Sequence, residues 1–451
     1  MEIITAANET ILAILKRFKK KDVASRMSCY CVQLPVEDGV LLFHTLTLEL
    51  VLLTQEEYAH LATSEILRDR WFLVPENTNE KELADMVRWV LENRRKKSED
   101  ITSYTIFPTT DCNARCFYCF EMGRSRIPMT LETAGKTAEY IKAHCGGKKV
   151  NLAWFGGEPL YNQPAIDAIC AILRREGIEY KSTAVSNGYL FDEATVKKAA
   201  EGWNLKHVQI TLDGTEAVYN RAKAFIYREG SPYQVVLENM GRLLDAGVAV
   251  TVRLNMDLYN AQDLLDLVEE LAGRFAGRKG LMVYAHHIFG EGKTMAQLHT
   301  AQEWEARETA MCRLEEKIQQ CGLGSKAGLR STVKLWHCMA DSGSAVTILP
   351  GGEIGLCEHY TETEFIGHIE REGFDEVVVK SWRERVTQEP ECASCCHYPT
   401  CFQLKKCANK SECIPLIRRE RMRKLQQQIL NEFSRWKSQE TVEETEAEAF
   451  C

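Results

Sequence analysis

The sequence predicts an α/β protein built around a partial (β/α)6 barrel, with a small α+β module before it and a cysteine-rich module after it. Three observations carry that prediction. Between about Ser103 and His287, short apolar runs alternate with amphipathic stretches six times, the pattern of a parallel sheet with outer helices. The residues before them read instead as a hairpin with helices. Half of the 18 cysteines fall from Cys338 onward, mostly in one tight group. The expected divisions are 1–100 for the α+β module, 101–290 for the barrel, 291–335 for a helical linker, 336–415 for the cysteine-rich module and 416–451 for an amphipathic helix with an acidic tail.

At 451 residues the chain is long enough for two or three domains, and 45% hydrophobic residues suit a globular core. A net charge of −8 offers no bulk attraction to nucleic acid or anionic lipid. No uninterrupted apolar run approaches the roughly 18 residues of a membrane helix. The segment from Met1 to Lys21 ends in Lys16, Arg17, Lys19, Lys20 and Lys21, which reverses the basic-then-apolar order of a signal peptide. A cytoplasmic protein is expected, with no nucleic-acid or membrane partner. Stable disulfides are rare in that compartment, so clustered thiols point to metal.

In chain order, apolar spacing at Ile11, Leu12, Ile14, Leu15 and Phe18 predicts a first helix. Cys29–Leu34 and Val40–Phe43, joined through Glu37-Asp38-Gly39, predict a β-hairpin. Gln55–Leu67 and Asn79–Asn93 read as helices, with Trp71–Val74 extended between them. Cys29 and Cys31, two apart on a predicted strand, share a face and read as small core residues.

The barrel strands are expected at Tyr104–Phe107, Val150–Phe155, Ser182–Val185, His207–Leu212, Val248–Leu254 and Leu281–Ala285. Helices are expected near Leu131–His144, Gln163–Arg175, Glu193–Glu201, Tyr233–Asp245 and Ala261–Phe275, and Gly146, Gly177 and Gly247 stop three of them. Right-handed crossovers curl such repeats into an open six-stranded barrel, whose chemistry gathers at the C-terminal strand ends. Those ends carry Gly156-Gly157-Glu158-Pro159, Ser186-Asn187-Gly188, Asp213-Gly214, Arg253 with Asn255, and His286-His287. Each polar group among them also reads as an ordinary turn or cap. Cys145 and Cys170, on helices without a partner cysteine nearby, read as structural.

The loop after the first strand contains Cys112, Cys116 and Cys119 in the spacing CxxxCxxC. Three thiolates this close hold three corners of an iron–sulfur cubane, which ordinarily takes four, and leave one iron open. A zinc knuckle or unrelated buried thiols are the alternatives. With Tyr118 before the last cysteine and GGEP starting 37 residues after it, the motif resembles the cluster loop of the radical S-adenosylmethionine (SAM) enzymes. That resemblance implies a [4Fe-4S] cluster whose open iron chelates the SAM amino and carboxylate groups, with Tyr118 against the adenine. It also implies that Gly156, Gly157 and Glu158 hold the SAM amino group, that Ser186, Asn187 and Asp213 lie around the ribose and substrate, and that Arg253 points toward SAM. Lys223 falls where some relatives have an arginine reaching the SAM carboxylate, with Arg221 as the alternative register.

Farther on, Cys338, Cys357, Cys392, Cys395, Cys401, Cys407 and Cys413 follow the order of the SPASM extension of peptide-modifying radical SAM enzymes. Mapped residue by residue, the resemblance implies a first auxiliary [4Fe-4S] cluster on Cys338, Cys357 and Cys407 and a second on Cys392, Cys395, Cys401 and Cys413, three clusters in all. Two departures stand out. Five residues separate Cys401 from Cys407 where the family usually has three, and Ser331-Thr332-Val333-Lys334 holds no cysteine where fully ligated relatives have one. The first auxiliary cluster is then expected to have an open iron unless Cys312, Cys321 or Cys396 supplies a thiolate. A zinc-ribbon-like module is the alternative for the CxxC pair. Beyond Pro415, the spacing of Met422, Leu425, Ile429, Phe433 and Trp436 predicts an amphipathic helix docked on the protein. Arg418, Arg419, Arg421, Arg423 and Lys424 read as its solvated face, the tail from Glu440 as disordered and Cys451 as incidental.

The N-terminal block resembles the winged-helix-type leader-recognition modules of peptide-modifying enzymes, which take up a peptide as an added strand. Read as structure alone, it is an extension packed on the barrel. Together the resemblances imply a maturase acting on a precursor peptide with a leader, served by SAM, three clusters and an electron donor such as flavodoxin or ferredoxin. A thioether from cysteine sulfur to carbon is the leading product, with carbon–carbon or carbon–oxygen cross-linking beside it. A formylglycine-generating sulfatase maturase is the alternative enzyme, and an iron–sulfur or zinc scaffold the alternative without catalysis. No side chain stands out as a catalytic acid or base.

Overall fold

The computed structural model describes all residues except 19–23, 96–99, 228, 289–299, 326–328, 330–337, 360–363, 387–388, 402–403, 408–412, 414 and 449–451. Lys19 to Lys21, Ser331 to Lys334 and Cys451 therefore lie outside the described residues.

The chain opens with β1 (Glu2–Thr5) and α1 (Glu9–Leu15), which Asn8 caps by accepting the Ile11 amide. There follow β2 (Ser25–Met27), β3 (Cys31–Val36), β4 (Gly39–His44), β5 (Glu49–Leu53), α2 (Gln55–Ala59), α3 (Glu65–Asp69), β6 (Leu73–Pro75) and α4 (Glu80–Arg95). An antiparallel sheet runs in the order β1-β5-β4-β3, with β2 and β6 paired beside it. The hairpin is the one the turn signal predicts. Gly39 is needed in it because its φ is +149° and a Cβ would meet the Leu53 carbonyl oxygen at 2.0 Å.

Two N-terminal expectations are corrected. The single helix over Gln55–Leu67 is broken, because Thr54 and Ser64 each accept the amide three residues on and so start separate short helices. Cys29 and Cys31 do not share a strand face: Cys29 sits in the turn before β3 and packs against the cluster containing Tyr30 and Trp71, whereas Cys31 packs beside Phe72 and Leu67.

The central region alternates as expected, through β7 (Ser103–Thr109), α5 (Leu131–His144), β8 (Val150–Gly156), α6 (Gln163–Arg175), β9 (Tyr180–Ser186), α7 (Glu193–Lys197) and β10 (Leu205–Leu212). Then come α8 (Glu216–Lys223), α9 (Pro232–Asp245), β11 (Ala249–Met256), α10 (Ala261–Arg274) and β12 (Leu281–His287). Gly146, Gly177 and Gly247 take φ values of +56°, +69° and +75° just behind α5, α6 and α9, as C′ glycines. Each helix buries one stripe on the sheet; α6 does so through Ala165, Ile166, Ile169, Cys170 and Leu173.

The remaining elements are α11 (Ala301–Gln320), α12 (Met339–Ser342), β13 (Ala345–Ile348), β14 (Glu353–Gly355), β15 (Gly367–His368), α13 (Glu376–Trp382) and α14 (Pro415–Glu448). One nine-stranded sheet has the order β12-β11-β10-β9-β8-β7-β13-β14-β15. Its first six strands are parallel, and it stays open, with β12 and β15 as its edges. The unpredicted feature is β13, which leaves the cysteine-rich region to pair parallel with β7, Ala345 against Ser103 and Ile348 against Ile106.

Helix α14 docks as its apolar spacing predicts: Leu425, Ile429 and Phe433 are buried against Leu41, Phe43, Leu50 and Leu52 of the N-terminal sheet. The helix is assigned as far as Glu448. Among the described residues, no helix is long and apolar enough to cross a membrane.

Candidate cluster and cofactor site

The loop bearing Cys112, Cys116 and Cys119 leaves the C-terminal end of β7 and is pinned from two sides. On one side the end of β8 lies against it: the Gly157 amide donates to Thr109 O at 3.2 Å and the Glu158 amide to Asp111 O at 2.9 Å. A Cβ on Gly156 would stand 2.3 Å from Thr109 O, and one on Gly157 2.2 Å from Asp111 O. Both glycines are thus required by the backbone of the cluster loop itself. On the other side, the Arg115 amide donates to Lys223 O at 2.8 Å and the Ile226 amide to Asn113 O at 3.0 Å. Within the loop the Ala114 amide donates to Cys112 Sγ at 3.3 Å, and Asn187 Nδ2 reaches Asn113 Oδ1 at 2.6 Å.

Beneath the loop, Glu158 is fully buried. Its Oε1 accepts from Ser186 Oγ at 2.9 Å and the Leu160 amide at 3.2 Å, and its Oε2 from the Asn187 amide at 2.8 Å. Burial pushes its pKa up to about 7 against the pull of those donors. Glu158, Ser186 and Asn187 are therefore brought into one unit, with Asn187 facing Cys112 Sγ at 3.8 Å.

Tyr118, Asp213 and Lys223 form a second unit. The Tyr118 hydroxyl lies 2.6 Å from Asp213 Oδ1 and accepts from Lys223 Nζ at 2.9 Å, and Nζ stands 3.3 Å from Asp213 Oδ2. Burial opposes the Lys223 ammonium, but the Asp213 carboxylate and Tyr118 outweigh it and hold its pKa well above the usual value. Asn255, at the end of β11, adds a donor to Asp213 at 3.3 Å. Arg253 is half-buried, with its Nε partnerless, and it helps lower the His286 pKa to about 4 after burial has done most of it. His287 turns away, its Nε2 3.0 Å from Glu308 on α11.

Electrostatics put Cys338 and Cys407 near Cys357, and Cys392, Cys401 and Cys413 near Cys395. Cys357 is pushed up to about 12 by burial first, then by Glu358, with Cys338 and Cys407 adding to it. Cys395 is raised by burial and then by Cys401, Cys413 and Cys392. Cys312 lies instead among Arg423, Glu308 and Glu315, Cys321 caps α11, and Cys396 neighbours Cys395 and Cys31.

Four contacts escaped sequence reasoning. The His359 ring lies 4.6 Å from Phe120, its carbonyl accepts from Arg124 at 3.0 Å, and its amide donates to Cys357 Sγ at 3.4 Å, so the first cluster loop touches the Cys357 loop directly. Tyr398 inserts into the N-terminal core with Ile11, Leu15 and Trp71, its hydroxyl 2.5 Å from Asp85 and its carbonyl 3.1 Å from Arg88. Arg421 donates to Cys401 Sγ at 3.4 Å. Arg423 pairs with Glu315 at 2.5 Å, so the basic face of α14 is not simply solvated. Only adjacency to a cysteine could have flagged Phe120; the others are long-range.

The donor sets discriminate between kinds of metal. Four thiolates on one zinc, with bonds of about 2.3 Å, stand about 3.8 Å apart. Among the described residues, no three cysteine sulfurs come within 4.8 Å of one another, although members of each set sense one another electrostatically. Thiols grouped yet spread fit a multi-iron cluster better than a single ion. Asn113 Nδ2, within the first cysteine loop, is buried without a hydrogen-bond partner, as a donor awaiting a polar ligand would be, and so is Arg253 Nε beside His286 and His359. His287, Glu308 and Glu420 do meet the closer spacing, but Lys424 at 2.5 Å from Glu420 and Arg423 at 3.9 Å from Glu308 already balance their charge. That group docks α14 onto β12 and α11.

Comparison with known proteins agrees with this geometry. The family model of the Radical SAM superfamily matches residues 106–271. A GTP 3′,8-cyclase of Clostridium perfringens (strain SM101 / Type A) is 32% identical over 178 residues, covering 38% of this chain and 52% of that protein. One of Rhodopirellula baltica is 31% identical over 117 residues, covering 25% and 31%. The chain thus spans about a third to a half of the length of these curated relatives. Among solved structures, native anSMEcpe with bound AdoMet and Cp18Cys peptide superposes with a TM-score of 0.54 at 15% identity, over 75% of this chain and 98% of that one. Streptococcus suis SuiB bound to precursor peptide SuiA gives 0.51 at 13% identity, over 84% and 94%. At such identities the likeness is one of fold. It is residues 106–271, with CxxxCxxC held over the C-terminal end of β7 and GGEP packed against it, that match the radical SAM superfamily.

Proposed function

We propose that the protein is a radical SAM enzyme that modifies a ribosomally made precursor peptide, with a thioether from cysteine sulfur to carbon as the leading product. The observation that carries the reading is the contact of His359 with Phe120, which sets the Cys338–Cys357–Cys407 group beside the first cluster loop at the barrel mouth. Cys112, Cys116 and Cys119 would hold the SAM-binding cluster, and the two later sets would hold auxiliary ones. When bound, a reduced cluster with SAM would supply radical chemistry able to remove a hydrogen atom from a peptide carbon. The protein's own part is positional. Tyr118 is fixed by Asp213 and Lys223 and presents its ring beside the cysteine loop, while Glu158 orders the Ser186–Asn187 turn. Arg253 offers an unused donor for a carboxylate or backbone carbonyl. Phe155 and Phe120, their rings 6.4 Å apart, set an apolar surface beside the loop.

The antiparallel sheet of the first 53 residues supports leader recognition, and the peptides bound in the two solved structures support a peptide substrate. A flavodoxin or ferredoxin as donor and a cytoplasmic setting belong to the same reading. Anaerobic co-expression with small cysteine-containing peptides encoded nearby, followed by mass spectrometry, tests it. A loss of two hydrogens per cross-link is expected. A formylglycine signature would favour a sulfatase maturase instead, and absence of SAM cleavage by reduced, reconstituted protein would remove the enzyme reading altogether.

A further inference from the structure

The ligand sulfurs differ in what donates to them. Cys112 Sγ accepts from the Ala114 amide at 3.3 Å and Cys357 Sγ from the His359 amide at 3.4 Å, both neutral donors. Cys401 Sγ accepts from a guanidinium, Arg421 Nη1 at 3.4 Å, which reaches it from the second turn of α14, 20 residues farther along the chain. The setting is partly dry: Arg421 is half-buried, and the neighbouring His397 is 9% exposed. A guanidinium keeps its charge at any working pH, and charge-assisted hydrogen bonds are about twice as strong as neutral ones. Hydrogen bonds to cluster sulfurs and nearby charge are among the levers that set a cluster's reduction potential.

We propose that Arg421 is a positioning residue that raises the reduction potential of the cluster held by Cys392, Cys395, Cys401 and Cys413. Reduction adds one negative charge to the cluster, and a fixed cation at Cys401 favours the reduced form over the oxidised one. This makes the second auxiliary set a readier electron acceptor than it would be with a neutral donor at that sulfur. The proposal rests on the reading that these four cysteines hold an iron–sulfur cluster.

The test is an anaerobic redox titration of the full, reconstituted chain followed by electron paramagnetic resonance, with iron counted in parallel. Wild type is compared with Arg421→Gln, Arg421→Lys and Arg419→Gln, the last removing an exposed charge two residues away on the same helix. Arg421→Gln is expected to move the midpoint of one auxiliary signal to more negative potential and leave the other signals in place. Arg421→Lys should move it less, and Arg419→Gln not at all. Full iron content with an unmoved midpoint in Arg421→Gln overturns the proposal. Should Arg421→Gln lose iron, Arg421→Lys decides: a negative shift supports the proposal, while an unmoved midpoint, or loss of iron there too, overturns it in favour of a purely structural role. Wild-type protein that binds zinc at these cysteines overturns both the proposal and the auxiliary-cluster reading, an outcome visible in the metal count alone.

Discussion

Lys223 Nζ stands 3.3 Å from Asp213 Oδ2, with the two side chains 5% and 0% exposed, so the floor beneath Tyr118 is a buried ion pair. Breaking such a pair from one side leaves an uncompensated charge and costs about 3–5 kcal/mol. Lys223→Met is expected to lose that much stability in anaerobic urea denaturation of the metal-free chain. Adding Asp213→Asn to it should return a good part of the loss, because the stranded carboxylate is then gone. Simple additivity of the two substitutions would show that the pair is not coupled.

Gly157→Ala places a methyl group where Asp111 O already lies, 2.2 Å away, and that neighbour is backbone with no rotamer to escape into. The cysteine loop must shift. Loss of the first cluster, about four iron atoms, is expected, along with at least a tenfold fall in SAM cleavage. Wild-type iron content in this variant would refute the packing argument.

Tyr398 belongs by sequence to the cysteine-rich module and by packing to the N-terminal core. Tyr398→Ala should cost about 3–5 kcal/mol, as large aromatic deletions in cores do. Tyr398→Phe removes the hydroxyl that bonds Asp85 and Lys81 and should cost about 1.5–3 kcal/mol. Chemical denaturation of both variants separates the apolar contribution from the polar one, and equal losses would contradict the assignment.

Reconstituted protein should bind about 12 iron atoms, four per cubane. Changing Cys112, Cys116 and Cys119 together to alanine should remove about four and abolish SAM cleavage. Changing Cys392, Cys395, Cys401 and Cys413 together should also remove about four yet leave SAM cleavage intact. A wild-type total near four, with zinc in the rest, would contradict three clusters.

The barrel was legible because its signals are local. α5 and α6 begin and end where amphipathic spacing, Gly146 and Gly177 put them, and each strand end announced itself by its polar residues. The nearness of Cys338 and Cys407 to Cys357, and of Cys392 and Cys401 to Cys395, follows the order in which these cysteines occur in the chain. What escaped depends on distant partners. Nothing near Ala345 says that it will lie beside Ser103, nothing near Tyr398 says which core it completes, and nothing near Arg421 points to Cys401. The two glycines of the GGEP motif were legible as necessary, but the immediate need for them, contact with Thr109 and Asp111, required coordinates.

The pairing of β13 with β7 also bears on how the chain is made. The strand that leads into the first cysteine loop gains its outer neighbour only when Ala345–Ile348 has been synthesised, long after β7 itself. Until then β7 presents a bare parallel edge, the kind of surface that pairs with the wrong chain. A nascent chain stalled before β13 should therefore be prone to aggregate even with all six barrel strands complete. Non-local pairing of this sort is slow to form. The cysteine loop that follows β7 thus lacks this outer brace until Ala345–Ile348, more than two hundred residues later, has been made.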